Sequence, residues 1–268
     1  MSLSSLNFPN TDFREILTEL LEYYKACPRV YAVILLGSLA RGKAVEGSCI
    51  DLCIFLERRQ MERLASTVKR RTKDYARLGG EICYYEGKIE GGIQFGDMRV
   101  DVSFTDGNFQ PSTQHSFDIT KDEFETTIGN LFVYAVPLYE KDDRYRHLKR
   151  LYLPFYDDAL RRARLDGTAK EFRYKVWKTR WLARRGEFYA ALDALLEAKR
   201  IFLQHLFIKE RKYPIDFDKW LKEQCVQILN KPALYEEILT LINKIELTEN
   251  GIKEKTDLIE KLFTKYAS

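Results

Sequence analysis

The stretch Val33-Ile34-Leu35-Leu36-Gly37-Ser38-Leu39-Ala40-Arg41-Gly42, followed by Gly47-Ser48-Cys49-Ile50-Asp51-Leu52-Cys53-Ile54, decides the fold. The seven apolar residues Val30 to Leu36 form a β-rich run closed by Gly37-Ser38. A strand that runs into Gly-Ser and a helix start turns backbone N–H groups outward, which favours phosphate. Gly37 lets backbone approach an anion closely, and Ser38 adds a hydroxyl donor. After turns at Gly42 and Gly47 a second strand runs from Ile50 to Leu56. Side chains alternate along a strand, so Cys49, Asp51 and Cys53 share one face while Leu52 and Ile54 point into a core.

Further along the chain, Arg99-Val100-Asp101-Val102-Ser103-Phe104 places a carboxylate on a strand between apolar neighbours. Burying an unpaired carboxylate is costly. Asp101 therefore calls for a metal, an Arg or Lys partner, or a solvent-open rim. Further strands are expected over 81–86, 88–95, 98–104 and 131–139, with a charged amphipathic helix over 58–78 ended by Gly79-Gly80. Ahead of them Phe13, Ile16, Leu17, Leu20, Leu21 and Tyr24 recur at helical spacing behind a Thr11-Asp12 cap.

From Lys141 the pattern turns helical. Segments near 142–163, 168–185, 187–210, 216–229, 232–245 and 252–267 are separated by Gly167, Gly186, Pro214, Pro232 and Gly251. Strands first and helices after predict an α+β chain: a mixed β-sheet domain over 1–140, then an all-α bundle over 141–268.

Composition sets the outer limits. The 268 residues are 45% hydrophobic and 31% charged, enough for a packed core. No apolar run approaches the ~20 residues of a membrane span, and no signal peptide opens the chain, so membrane association is not expected. Five cysteines without a C-x-x-C pair argue against a disulfide framework or a zinc ribbon and fit a reduced, cytoplasmic setting. The net charge of +4 hides an asymmetry: residues 144–185 hold 14 basic against 4 acidic residues. Such density fits either a polyanionic ligand or a solvated helical surface. Lys170, Arg173, Trp177, Arg180 and Arg184 fall at spacings of three and four. They read either as a grip on phosphate and base or as Trp177 and Trp181 in the core under snorkelling cations. Arg200 and His205 have an Arg-x4-His spacing, a weak nuclease signal, and His205 reads more simply as a helix-face residue.

Together, the apolar strand, Gly37-Ser38, the spacer of about ten residues, Asp51 and Asp101 resemble the polymerase-β-like nucleotidyltransferase superfamily over roughly residues 11–140. Arg184-Arg185-Gly186-Glu187-Phe188-Tyr189-Ala190-Ala191, Tyr213-Pro214 and Lys219-Trp220-Leu221 more loosely resemble the helical domain of its small-molecule branch, the kanamycin and lincosamide type. The resemblance implies a transferase that moves a nucleoside monophosphate from an NTP, ATP first among them, to an acceptor hydroxyl. It implies Mg²⁺ or Mn²⁺ at Asp51 and Asp101, which are also the implied catalytic residues. Gly37, Ser38, Arg41, Lys43 and Ser48 are the implied nucleotide contacts, with Arg41 and Lys43 equally readable as solvated loop residues. The acceptor it suggests is a small molecule between the domains; an RNA acceptor and a non-catalytic nucleotide- or partner-binding relative are the alternatives. One position departs from the family. Its first paired Asp is Cys49 here, and a thiol offers no hard oxygen to Mg²⁺. Glu46 stands near enough in sequence to substitute, and the Cys49-x-Asp51-x-Cys53 face would suit a softer metal.

Overall fold

The computed structural model describes residues 6–60, 63, 81–85, 88–95, 98–109 and 123–267. The architecture is α+β. Six strands, β1 (Val30–Leu36), β2 (Ile50–Leu56), β3 (Glu81–Tyr85), β4 (Lys88–Phe95), β5 (Met98–Thr105) and β6 (Val136–Glu140), form one mixed sheet in the order β3-β4-β5-β2-β1-β6. β2 and β5 run parallel, and the other neighbours are antiparallel.

Both faces of the central strands are covered, which is why β1 and β2 read as unbroken apolar runs. On one face lies α1 (Thr11–Lys25), whose Phe13, Leu17, Leu21 and Tyr24 pack against Val33, Leu35, Leu52 and Ile54. Its cap is Asn10, whose side chain accepts from the Phe13 N–H at 3.2 Å, rather than Thr11-Asp12. The other face is aromatic. Phe55 touches Tyr31 and Tyr145 edge-on, and Phe132 stacks on Tyr145 and Tyr152 at centroid distances of 5.6 and 5.3 Å. A register shift between Val30 and Ala32 puts Val30 on the α1 face with Val33 and Leu35, leaving Tyr31 to the aromatics.

Tyr145 and Tyr152 belong to α4 (Arg144–Tyr152), and their packing on the sheet accounts for a division other than the expected one at residue 140. One compact unit comprises Met1–Gln110 with Asn130–Pro154, the other Pro111–Gly129 with Phe155–Ser268. The expected strand over 131–139 is shorter, because Gly129–Val133 winds as a π-helix before β6 begins at Val136. Residues 58–60 and 63 are helical, and the remainder of the expected 58–78 helix lies outside the described residues.

The second unit contains α3 (Phe124–Ile128), α5 (Asp158–Arg184), α6 (Phe188–Lys209), a π-helix over Glu223–Ile228, α7 (Pro232–Ile242) and α8 (Glu249–Ala267). Gly186, at φ +76°, ends α5 in a turn closed by Gly186 N–H to Ala183 and Glu187 N–H to Leu182. Gly167 and Gly251 do not break helices as the sequence reading expects; both lie inside them. At Gly251 a side chain would meet the Glu246 carbonyl oxygen at 2.4 Å, so close packing, not chain termination, uses the glycine. The core is Phe172, Val176, Leu195, Phe202, Leu206, Ile238, Ile259 and their neighbours, with Phe172 stacked on Phe263 at 4.1 Å. Trp177 and Trp181 are not part of it: they are 56% and 42% exposed.

Candidate metal and nucleotide site

The β2–β5 pairing builds the site. These parallel strands are in register with Asp51 opposite Asp101, and β1 brings Leu36 opposite Asp51 from the other side. The turn at Gly37 therefore lies directly over the Asp51 carboxylate. A Cβ added to Gly37 would stand 1.8 Å from Asp51 Oδ2, and Gly37 already has φ +68°. Only glycine satisfies both demands. Beyond it Gly37–Ala40 forms a single helical turn, α2, with the Ser38 side chain buried.

Cys49, one residue before β2, completes a cluster. One ligand atom from each of Cys49, Asp51 and Asp101 lies within 4.8 Å of the other two, and all three residues are half-buried. The Cys49 thiol is pushed above its usual range, first by burial, then by the Asp51 and Asp101 charges and by its hydrogen bond to Asp101. Burial and the neighbouring carboxylates both favour the protonated thiol. Arg99 donates from Nε to Asp101 Oδ1 at 2.7 Å. Sequence reasoning quoted Arg99 without giving it a role, although two residues apart on one strand is the spacing that puts side chains on one face.

The donor set fits a divalent cation. Two carboxylates side by side repel one another, and a cation between them relieves that. The hard oxygens suit Mg²⁺ or Mn²⁺, and the sulfur tilts the site toward the softer of the two. Cys53, further along the same strand, is buried beneath the aromatic face and takes no part in the cluster. That removes the Cys49-x-Asp51-x-Cys53 arrangement as a ligand set. Glu46 is exposed on the loop and is not one of the three.

The remaining expected contacts sort differently. The Ser48 hydroxyl accepts from the Val45 N–H at 3.0 Å and so shapes the Gly42–Gly47 loop. Lys43 is exposed, with its backbone N–H bonded to the Ser38 carbonyl, and Arg41 is half-buried. Away from this site, Arg200 pairs with Asp218 at 2.7 Å while His205 is buried against Thr168 and Phe263. His205 therefore lies on the buried face of its helix.

Residues 13–92 match the family model of the nucleotidyltransferase domain. The matched region carries Gly37, Ser38, Cys49 and Asp51, while Asp101 lies just beyond it. A nucleotidyltransferase-like protein from Exiguobacterium sibiricum is a structural neighbour, at 14% identity and a TM-score of 0.44 over 94% of this chain and 74% of that one. No curated protein matches the chain in sequence. Among the described residues no helix is long and apolar enough to cross a membrane.

Proposed function

We propose that the protein transfers a nucleoside monophosphate from an NTP to an acceptor hydroxyl, with Asp51 and Asp101 holding the metal and Cys49 as a weak third donor. The observation that carries this reading is the convergence of Cys49, Asp51 and Asp101 under the Gly37 turn. A divalent cation held there would neutralise triphosphate charge and polarise the acceptor oxygen. Gly37 leaves room for the Asp51 carboxylate, and Ser38 lies in the helical turn beside it. Asp101 has an additional role as acceptor of the hydroxyl proton. Arg99 holds its Oδ1. Arg41 and Lys43 supply positive charge on the adjoining loop. ATP is the first NTP to test and a small-molecule hydroxyl the first acceptor class.

A second reading, a nucleotide-binding protein that turns over slowly or not at all, is favoured by the thiol of Cys49, which offers no hard oxygen to the cluster. The two separate on one substitution. Cys49→Asp restores a hard oxygen, so pyrophosphate release from ATP with Mn²⁺ should rise at least tenfold over the parent, and Cys49→Asp combined with Asp51→Asn should lose that gain. A parent that already turns over well and is slowed by Cys49→Asp would make the thiol a working ligand. No release from either protein with any NTP would leave the binding reading alone standing.

A further inference from the structure

The exposed face of α5 carries chemistry that the nucleotide site does not use. Tyr174, Trp177 and Trp181 recur at spacings of three and four and so form one stripe along the helix. They are 42%, 56% and 42% exposed. Tyr174 stacks on Trp177, and Trp177 on Trp181, each pair with centroids 5.9 Å apart and planes within 26° and 12°. Arg185 extends the ladder, its guanidinium 4.6 Å from the Trp181 ring centre.

Three large rings in water are costly for a unit whose core is filled without them. Their surroundings indicate what would cover them. Residues 167–186 hold seven cations and one acid, Glu171, which is buried. Two of the cations are committed to the fold: Lys175 to Glu197 at 2.9 Å, and Arg180 to Asp257 and Glu260 of α8. Lys170, Arg173 and Arg184 are exposed beside the rings and form no ion pair with any described residue. Stacked rings between unpaired cations are what a single strand of nucleic acid requires, since every base offers a π-face and every linkage a charge.

We propose that this stripe of α5 binds single-stranded nucleic acid, its bases stacking on Tyr174, Trp177 and Trp181 and its phosphates meeting Lys170, Arg173, Arg184 and Arg185. A second copy of the chain fits less well, because a two-fold interface would set this cationic stripe against itself. An anionic lipid surface is the competing occupant, and vesicle binding separates it from oligonucleotide binding in the test. The inference does not rest on nucleotidyl transfer, and its test uses no NTP or metal.

The test is fluorescence anisotropy of labelled twelve-residue oligouridine and oligothymidine with the full-length chain, over a salt series. Binding should weaken steeply with salt, and a duplex of the same length should bind more weakly. Trp177→Ala and Trp181→Ala should each weaken binding at least about fivefold. Arg173→Glu should lower the salt slope by about one. All three positions are exposed, so thermal melts should stay close to the parent's. Should either tryptophan variant fail to fold, Trp177→Leu and Arg173→Glu carry the same test. Absence of binding at low salt, or binding that ignores both tryptophan substitutions, would overturn the proposal. So would tryptophan-dependent dimerisation in sedimentation, or adsorption to phosphatidylserine vesicles, in place of oligonucleotide binding.

Discussion

At Gly37 two independent constraints meet: a left-handed φ and an Asp51 oxygen where a Cβ would be. Gly37→Ala should therefore cost about 1–3 kcal/mol of stability from the backbone alone and displace the Asp51 carboxylate. Thermal melts with and without Mn²⁺ should show a lower melting temperature and a smaller metal-induced rise. The Gly-Ser signature was legible in the sequence; that Gly37 makes room for a particular carboxylate was not, because it depends on the β1–β2 register. His205 is informative for another reason. Burial, with Lys209 and Arg161 nearby, lowers its pKa to about 4 from 6.5. The unfolded chain then binds a proton through a range in which the folded chain resists it, so this contribution is intact above pH 6.5 and is lost as pH falls toward 4. The loss reaches about 3 kcal/mol. Urea melts at pH 7 and pH 5 should show a larger acid destabilisation in the parent than in His205→Gln. Equal destabilisation would mean that His205 titrates normally.

Among the elements, strands were the most legible part of the sequence. The apolar runs Val30–Leu36 and Ile50–Leu56 are the strands the sequence predicts, since burial on both faces leaves a continuous signal. Helix ends were less so. Gly167 and Gly251 punctuate the sequence yet sit inside α5 and α8, where tertiary packing outweighs glycine's low helix propensity. The tryptophans of α5 were readable either way, because helical spacing alone does not say which stripe faces inward. Least legible was α3, whose Glu125 is fully buried. It accepts from Arg164 Nε and Nη2 at 2.5 and 2.6 Å, Tyr156 at 2.8 Å and Gln204 at 3.1 Å. Three segments distant in sequence converge there, and no local pattern announces it. Removing Glu125 would leave the Arg164 charge buried without its counter-ion, so Glu125→Ala should destabilise the protein by about 3–5 kcal/mol. Denaturant titration should show this as a lower midpoint with little change in slope.

Across the whole molecule, the α+β class follows from the order of the elements. The chain nonetheless crosses between its two units more than once: 123–129 belongs to the helical unit, while 130–154 returns to the sheet. A reading along the chain has no access to that exchange, because Phe132, Tyr145 and Tyr152 choose the sheet by ring packing rather than by sequence neighbourhood. We propose that two strand carboxylates beneath a glycine turn make this chain a metal-dependent nucleotide protein. Calorimetric titration of ATP into the protein, with Mn²⁺ and with chelator, alongside Asp101→Asn, tests it most directly. Saturable binding by the parent should need Mn²⁺ and be lost, or weakened at least tenfold, in Asp101→Asn. Binding of equal strength with chelator, or unchanged in Asp101→Asn, would contradict it.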